Sequence, residues 1–206
     1  MRLFVALDIA EDVRTRIQDF VHDFSPSAPE IRWMHPQSLH VTLKFIGEKS
    51  NESLESIKRA LSFVASPPLT LNFRGYGFSP GPKRPSIFWI GIDGGESLIS
   101  LAASVEQALI PAGVTAENHR FRPHITLARS GSNRKRHNRA NHHRAGHYRA
   151  DHCFRQLQEK LAAAPPPEFG TMSARDFFLY ESRLSAEGSD YTKIERFVFG
   201  ESMAAN

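Results

Sequence analysis

Apolar and polar residues follow one another along the chain in a pattern that predicts several β-strands. Residues 2–8 form a nearly continuous apolar run, which is typical of a buried strand. In 39–46 every second residue is apolar, and this alternation predicts a half-buried strand. By the same criteria, further strands are predicted at 69–75, 86–92, 123–129, 175–181 and 192–199.

Other segments carry apolar residues at helical spacing, at about 13–24, 51–64, 96–110 and 153–163. Ser50 or Asn51 can cap the second of these helices. Predicted strands neighbour each other within 69–92 and 175–199 rather than alternating strictly with helices, so the pattern favours an α+β fold over a doubly wound sheet. No linker divides the chain, and 1–206 is predicted to be one domain.

The composition is that of an ordinary globular protein. The chain has 206 residues, 40% of them hydrophobic, and a chain of this length can bury a substantial core. Its single cysteine, Cys153, cannot form an internal disulfide, which fits a reducing compartment. The first apolar run breaks at Asp8, unlike a signal peptide, and no window approaches the ~20 apolar residues of a membrane span. We therefore expect a cytoplasmic monomer that does not associate with membranes.

Positive charge is concentrated in one segment. Between Arg129 and Arg155 there are eight Lys or Arg residues and one acid, whereas the rest of the chain has 18 basic and 21 acidic residues. Five of the ten histidines lie there, in a repeat with a period of five that begins at His137. Such a period collects side chains on no single face of a helix or strand. This insertion at about 130–150 is a solvated low-complexity segment, an arm that contacts RNA phosphates, or a histidine metal site.

Two predicted strands carry nearly identical tetrads, His40-Val41-Thr42-Leu43 and His124-Ile125-Thr126-Leu127. Residues i and i+2 of a strand project to the same face, so each histidine is expected to share a face with its threonine. The apolar residues of each tetrad are then expected to face the core. If both strands border one groove, they supply two imidazoles and two hydroxyls to a single site. The residues alone also allow the repeated tetrad to be coincidental or structural.

A site of this kind suits phosphodiester chemistry. A neutral imidazole can take a proton from an attacking water while a protonated imidazole gives one to the departing oxygen, each contributing on the order of 10²–10⁴-fold. Hydroxyl groups and nearby cations can stabilise the charged phosphoryl oxygens. The sequence contains no dinucleotide fingerprint, P-loop, Gly-x-Ser-x-Gly elbow or His-Glu-x-x-His motif, which removes the commonest competing enzyme classes.

Longer motifs surround both tetrads. They are RLFVALDI at the start, IRWMHPQSLHVTLKFIGE around His40, Gly75–Gly77 followed by IFWIG at 87–91, FRPHITLAR around His124, and FFLYESRLSAEGSDYTKIERF near the end. Together they resemble the two-histidine (2H) phosphoesterases and, within them, the RNA 2′,3′-cyclic phosphodiesterases, also called 2′-5′ RNA ligases. The resemblance covers most of the chain except about 130–150.

This resemblance implies a bilobal α+β fold in which two pseudo-symmetric antiparallel sheets, with helices packed outside, border a central groove. It implies hydrolysis of a terminal RNA 2′,3′-cyclic phosphate to a 2′-phosphate, with no metal or other cofactor. His40 would donate a proton to the leaving 3′ oxygen, His124 would activate water, and Thr42 and Thr126 would hold phosphate oxygens. If the 5′-hydroxyl of an RNA replaces water, the same displacement forms a 2′-5′ linkage and is reversible.

Three more residues are candidate substrate contacts. Lys44 shares the face of the first histidine by strand parity. Arg129 matches the basic residue that closes the family's second motif, although strict alternation places it opposite the second histidine. Tyr191 can stack a terminal base, whereas Phe45 falls on the apolar face and is expected in the core.

Two other functions remain open at this stage. The first is an RNA-binding module that uses the basic 129–155 segment. The second is a phosphodiesterase for another small cyclic phosphodiester, such as a cyclic nucleotide or an ADP-ribose derivative, because the tetrads would contact phosphate rather than base.

Overall fold

The computed structural model describes residues 1–130, 142–184 and 189–200. Its helices are α1 (Glu11–Phe24), α2 (Asn51–Ser62), α3 (Gly95–Leu109) and α4 (His142–Ala162). Its strands are β1 (Arg2–Leu7), β2 (Ile31–Trp33), β3 (Val41–Glu48), β4 (Leu69–Ser79), β5 (Ile87–Asp93), β6 (His124–Ser130), β7 (Glu168–Ala174), β8 (Asp176–Leu184) and β9 (Ser189–Val198). Short 3₁₀ turns occupy Ser25–Ser27 and Pro36–Ser38.

The strands form two antiparallel sheets. The first has the strand order β3-β1-β8-β9, and the second has the order β2-β6-β5-β4-β7. The tetrad of His40 lies at the start of β3 and that of His124 at the start of β6, so each sheet carries one tetrad. β3 and β6 approach each other where the two sheets meet. The predicted α+β fold with two antiparallel sheets is confirmed.

One apolar core holds the helices against both sheets. Each helix contributes fully or nearly fully buried side chains to it, among them Ile17, Leu61, Leu101 and Phe154. The tetrads are anchored in the same core, because Val41 is 0% exposed and Ile125 is 1% exposed. Burying a side chain of this size stabilises the fold by roughly 1.5–3 kcal/mol. The polar faces of the tetrads therefore project from a rigid base.

Two strands of the described chain were not predicted from the sequence. β2 has only three residues, which is too short for an alternation to be recognised. β7 is interrupted by Gly170, whose φ of 100° is a conformation that other residues rarely adopt. The start of the second helix was predicted correctly, since the Ser50 hydroxyl accepts from the Ser53 amide and caps α2.

The last helix is longer than predicted. α4 begins at His142 rather than near 153, so its first turns are built from the basic insertion. Residues 131–141 lie outside the described residues, and the three interpretations of the insertion are therefore not addressed. Among the helices that the structure describes, none is both long enough and apolar enough to cross a membrane.

Candidate active site

His40 and His124 line one cavity of about 470 Å³, which is bordered by both sheets. Thr42 and Thr126 line the same cavity. The structure therefore brings together the imidazoles and hydroxyls of two tetrads that are far apart in the sequence. We refer to this space as the central cavity.

The same hydrogen bond anchors both imidazoles. Nδ1 of His40 lies 2.7 Å from the carbonyl oxygen of Ser38, and Nδ1 of His124 lies 2.8 Å from that of Arg122. A carbonyl oxygen only accepts hydrogen bonds, so Nδ1 is the donor in each ring. This fixes the tautomer of a neutral imidazole and leaves Nε2 as the basic nitrogen available to a ligand.

Aromatic rings surround His40. The ring centroids of Phe4 and Tyr191 lie 4.8 Å and 5.1 Å from that of His40, and the ring is half-buried. Burial lowers the pKa of His40 to about 4, and the positive charges of Arg129 and His124 act in the same direction. His40 is therefore uncharged near neutral pH in the free protein.

His124 has more open surroundings. Its side chain is exposed, and its ring centroid lies 6.1 Å from that of Trp89. The two imidazoles thus share the central cavity and the same anchoring bond, but one is packed among aromatic rings and the other faces solvent.

A buried arginine supports the turn that precedes His40. Arg14 on α1 is 6% exposed and donates to the carbonyl oxygen of Pro36 at 2.6 Å. It also donates to Asp8 at 2.9 Å. Pro36 opens the 3₁₀ turn that ends at Ser38, whose carbonyl oxygen holds the His40 ring. Arg14 therefore links helix α1 to the position of one imidazole.

Asp8 is the counter-ion of this arrangement. Burial alone would raise the pKa of Asp8, but hydrogen bonds from Lys193 and the Ile9 amide, together with the charges of Lys193 and Arg14, hold that pKa below its ordinary value. The bond from Lys193 measures 2.5 Å. Asp8 is therefore ionised throughout the neutral range, and its charge partly offsets the effect of burial on His40.

A β-bulge interrupts the alternation of β3 directly after the tetrad threonine. Thr42 pairs with Ala6 and Lys44 pairs with Val5, so Leu43 is an extra residue on β3. One extra residue exchanges the two faces of a strand for the residues beyond it.

This bulge reverses two predictions made from parity. Phe45, expected in the core, is 56% exposed and lines the central cavity. Lys44, expected on the His40 face, is 2% exposed and does not line the central cavity. Its ammonium lies 3.3 Å from Glu106 and 3.5 Å from Glu117. Both predictions were wrong because the alternation was extended through the bulge.

β6 has the corresponding bulge. Thr126 pairs with Trp89 and Ala128 pairs with Phe88, which leaves Leu127 as the extra residue. Arg129 consequently lies on the same side as Thr126 and lines the central cavity, contrary to strict alternation. The position of Arg129 depends on this bulge.

Tyr191 on β9 also lines the central cavity. Several lining residues were not identified from the sequence, namely Arg2, Arg32, Met34, Ser38, Ser182 and Ser189. Arg32 lies on the unpredicted strand β2, and Arg2 is the exposed first residue of β1. For Arg2, the polar start of an otherwise apolar strand was the signal that could have marked it.

The polar side chains of the cavity differ from the groups of ligands that hold a metal ion. Among the described side chains, those of residues 1–130, 152–183 and 189–200, no group of three or more His, Cys, Asp or Glu could hold a metal ion. The polar side chains that line the central cavity carry imidazoles, hydroxyls and guanidinium groups.

Known proteins share both the sequence and the fold. An RNA 2′,3′-cyclic phosphodiesterase of Archaeoglobus fulgidus is 30% identical over 197 residues, which cover 96% of this chain and 99% of that protein. The crystal structure of Escherichia coli LigT complexed with 3′-AMP has a TM-score of 0.73 at 25% identity, covering 97% of this chain and 98% of LigT. The protein TT0787 of Thermus thermophilus gives the same TM-score and identity, covering 98% of this chain and all of that chain.

A family model agrees with these comparisons. The model described as the 2′-5′ RNA ligase superfamily matches residues 10–150, a range that contains both tetrads and the bulges that follow them. The resemblance found in the sequence is thereby confirmed, and this chain belongs to the 2′-5′ RNA ligase superfamily.

Proposed function

We propose that this protein hydrolyses the 2′,3′-cyclic phosphate at the 3′ end of RNA to a 2′-phosphate. The observation that carries the proposal is the pair of identically anchored imidazoles, His40 and His124, in one cavity with two threonines. The name of the Archaeoglobus fulgidus relative supports the same substrate class.

In the proposed reaction a water oxygen attacks phosphorus and the bond from phosphorus to the 3′ oxygen breaks. His124 accepts a proton from water through Nε2, and His40 donates a proton from Nε2 to the departing 3′ oxygen. The 2′ oxygen keeps its phosphate. At the end of a turnover the protonation states of the two imidazoles are exchanged, and exchange with solvent restores them.

The low pKa of His40 limits when it can act as the proton donor. Because burial holds the pKa of His40 near 4 in the free protein, the ring must gain a proton before it can act as an acid. The cyclic phosphate is an anion, and a negative charge beside an imidazole raises its pKa. Substrate binding therefore charges His40, which couples the proton donor to the presence of the phosphate.

Thr42 and Thr126 donate hydrogen bonds to the phosphate oxygens that do not leave. Arg129 supplies a positive charge close to them, and a guanidinium makes two parallel hydrogen bonds to such oxygens. These groups stabilise the additional charge that develops at phosphorus in the transition state.

Ligation is the same displacement with a different nucleophile. When the 5′-hydroxyl of an RNA occupies the position of water, attack on phosphorus and loss of the 3′ oxygen produce a 2′-5′ linkage. His124 accepts the proton of that hydroxyl in the same way. One cavity therefore supports both reactions, and the exclusion of water decides between them.

The test is turnover of a short RNA that ends in a 2′,3′-cyclic phosphate, in the presence of a chelator, with the 2′- and 3′-phosphate products resolved. We expect the 2′-phosphate and full activity in chelator. His40→Ala and His124→Ala should each lose at least ~10²-fold in turnover. His22→Ala is the matched control for both, because the His22 side chain is 90% exposed on α1. A 3′-phosphate product, or turnover of an ADP-ribose cyclic phosphate but not of RNA, contradicts the proposal.

A further inference from the structure

The central cavity contains more positive charge than one phosphate needs. Arg2, Arg32 and Arg129 all line it. Arg32 on β2 lies directly opposite Arg129 on β6 in the antiparallel register, whereas Arg2 comes from the other sheet, where it pairs with Ser182. Two strands of one sheet and one strand of the other therefore direct guanidinium groups into the same space.

These three arginines differ from several others in the described chain, which form ion pairs. Arg14, Arg74 and Arg183 each have a carboxylate oxygen at 2.9 Å. Among the side chains of residues 1–130, 152–183 and 189–200, no carboxylate forms an ion pair with Arg2, Arg32 or Arg129. The like charges also oppose one another, since Arg32 and Arg2 add to the effect of burial in lowering the pKa of Arg129.

Such an arrangement is costly in the free protein. Like charges directly opposite on neighbouring strands destabilise a sheet, and Arg129, which is half-buried, also loses hydration, whereas Arg2 and Arg32 are exposed. An anion in the cavity removes both costs. The cyclic phosphate itself brings a single negative charge, which Arg129 beside Thr126 can receive, so the charges of Arg2 and Arg32 remain uncompensated.

The next anion along an RNA strand is the phosphate on the 5′ side of the terminal nucleotide. We propose that Arg2 and Arg32 bind this phosphate, so that the enzyme selects RNA ends over cyclic nucleosides that lack it. The inference rests on the proposed function and names a second anion site within the same cavity. Ser182, which pairs with Arg2, and Ser189 also line the cavity, and a serine hydroxyl can donate a further hydrogen bond. A guanidinium fork fits two oxygens of one phosphate.

The experiment compares kcat/KM for four substrates that share one terminal base. They are a nucleoside 2′,3′-cyclic phosphate, the same compound with a 5′-phosphate, a dinucleotide ending in the cyclic phosphate, and that dinucleotide with an uncharged methylphosphonate linkage. We expect the two substrates with a charged 5′-side phosphate to be favoured roughly tenfold or more over the nucleoside, as for a charged hydrogen bond. The methylphosphonate dinucleotide should lose most of that preference.

Arg2→Gln and Arg32→Gln should each reduce the ratio of kcat/KM between the dinucleotide and the cyclic nucleoside. The salt dependence of dinucleotide turnover should also become less steep, because a phosphate contact is lost. Arg59→Gln removes the same charge from the exposed face of α2 and should keep the wild-type ratio. Because each ratio compares two substrates of one variant, a partly unfolded preparation does not change it.

Three outcomes would overturn this inference. They are a wild-type ratio below threefold, wild-type ratios in both arginine variants, and a dinucleotide preference that the methylphosphonate retains, which would point to stacking of the extra nucleoside. Failure of the wild type to turn over any of the four substrates would instead refute the proposed function.

Discussion

Phe45 and Arg129 occupy matching positions in the two halves of the central cavity. Each lies five residues after a cavity histidine, each follows a β-bulge, and each lines the cavity because that bulge exchanged the faces of its strand. β3 and β6 thus match in backbone at these positions but not in chemistry. One places an apolar ring in the cavity and the other places a positive charge there.

This asymmetry makes Arg129 a specific target. Arg129→Gln should lower kcat/KM by about 10–100-fold, because it removes charged hydrogen bonds worth roughly 1.5–3 kcal/mol. Arg74→Gln is the control, since Arg74 is 63% exposed and pairs with Asp93 away from the cavity. Steady-state kinetics on an RNA cyclic phosphate measure both. A loss below threefold for Arg129→Gln would show that Arg129 does not stabilise the phosphate in the transition state.

The environment of His40 predicts its titration. In the free protein, NMR should show His40 remaining neutral down to about pH 4. A bound nucleoside 2′-monophosphate should move that pKa upward, since its negative charge stabilises the imidazolium. A free-protein value near the ordinary 6.5 would show that burial does not control this group.

The same shift makes the stability of the protein depend on pH. The unfolded chain protonates His40 near 6.5, whereas the folded protein resists protonation until about 4. The free energy of unfolding therefore falls as the pH is lowered from 6.5 to 4, by up to about 3 kcal/mol from this residue. His40→Gln should remove that part of the pH dependence in urea unfolding, and His22→Gln should not.

A substrate with sulfur in place of the 3′ oxygen distinguishes the two histidines. A thiolate is a far better leaving group than an alkoxide and does not require a proton donor. We expect the His40→Ala defect, at least ~10²-fold with oxygen, to shrink to within tenfold with sulfur. The His124→Ala defect should persist, because water must still be deprotonated. If the sulfur substrate instead restored the activity of His124→Ala, His124 would be the proton donor and His40 the base.

Arg14 should matter for both stability and catalysis. Arg14→Met leaves the charge of Asp8 with Lys193 alone and frees the Pro36 carbonyl, so we expect a loss of about 2–3 kcal/mol in urea unfolding. It should also lower kcat more than it raises KM, because the turn that holds the His40 ring loses its support. Arg74→Met breaks an exposed pair and should cost at most about 1 kcal/mol. If Arg14→Met lowered kcat no more than Arg74→Met does, Arg14 would not have a positioning role.

Much of this fold followed from hydrophobic periodicity, because long elements repeat their pattern several times. The predicted strand at 39–46 and the helix capped by Ser50 are examples. Short or interrupted strands such as β2 and β7 carry too few repeats to be recognised. Pairing across two sheets depends on long-range contacts that no local pattern contains.

The site residues also divide into those that the sequence could identify and those that it could not. Both tetrads were evident because each is local and repeats the other. The faces of Lys44 and Phe45 were assigned incorrectly, since a bulge is a property of two paired strands and leaves no mark in the alternation of one. Arg32 could not be assigned to the site from the sequence, because only the pairing of β2 with β6 places it opposite Arg129.

If His40 and His124 act together on one phosphorus atom, the effects of replacing them are not independent, and a double-mutant cycle measures this. The cycle measures kcat for His40→Ala, His124→Ala and the double variant on an RNA 2′,3′-cyclic phosphate. We expect each single variant to lose at least ~10²-fold and the double variant to lose little more than the worse single one. Losses that multiply in the double variant, or normal turnover by either single variant, would contradict joint action of the two histidines.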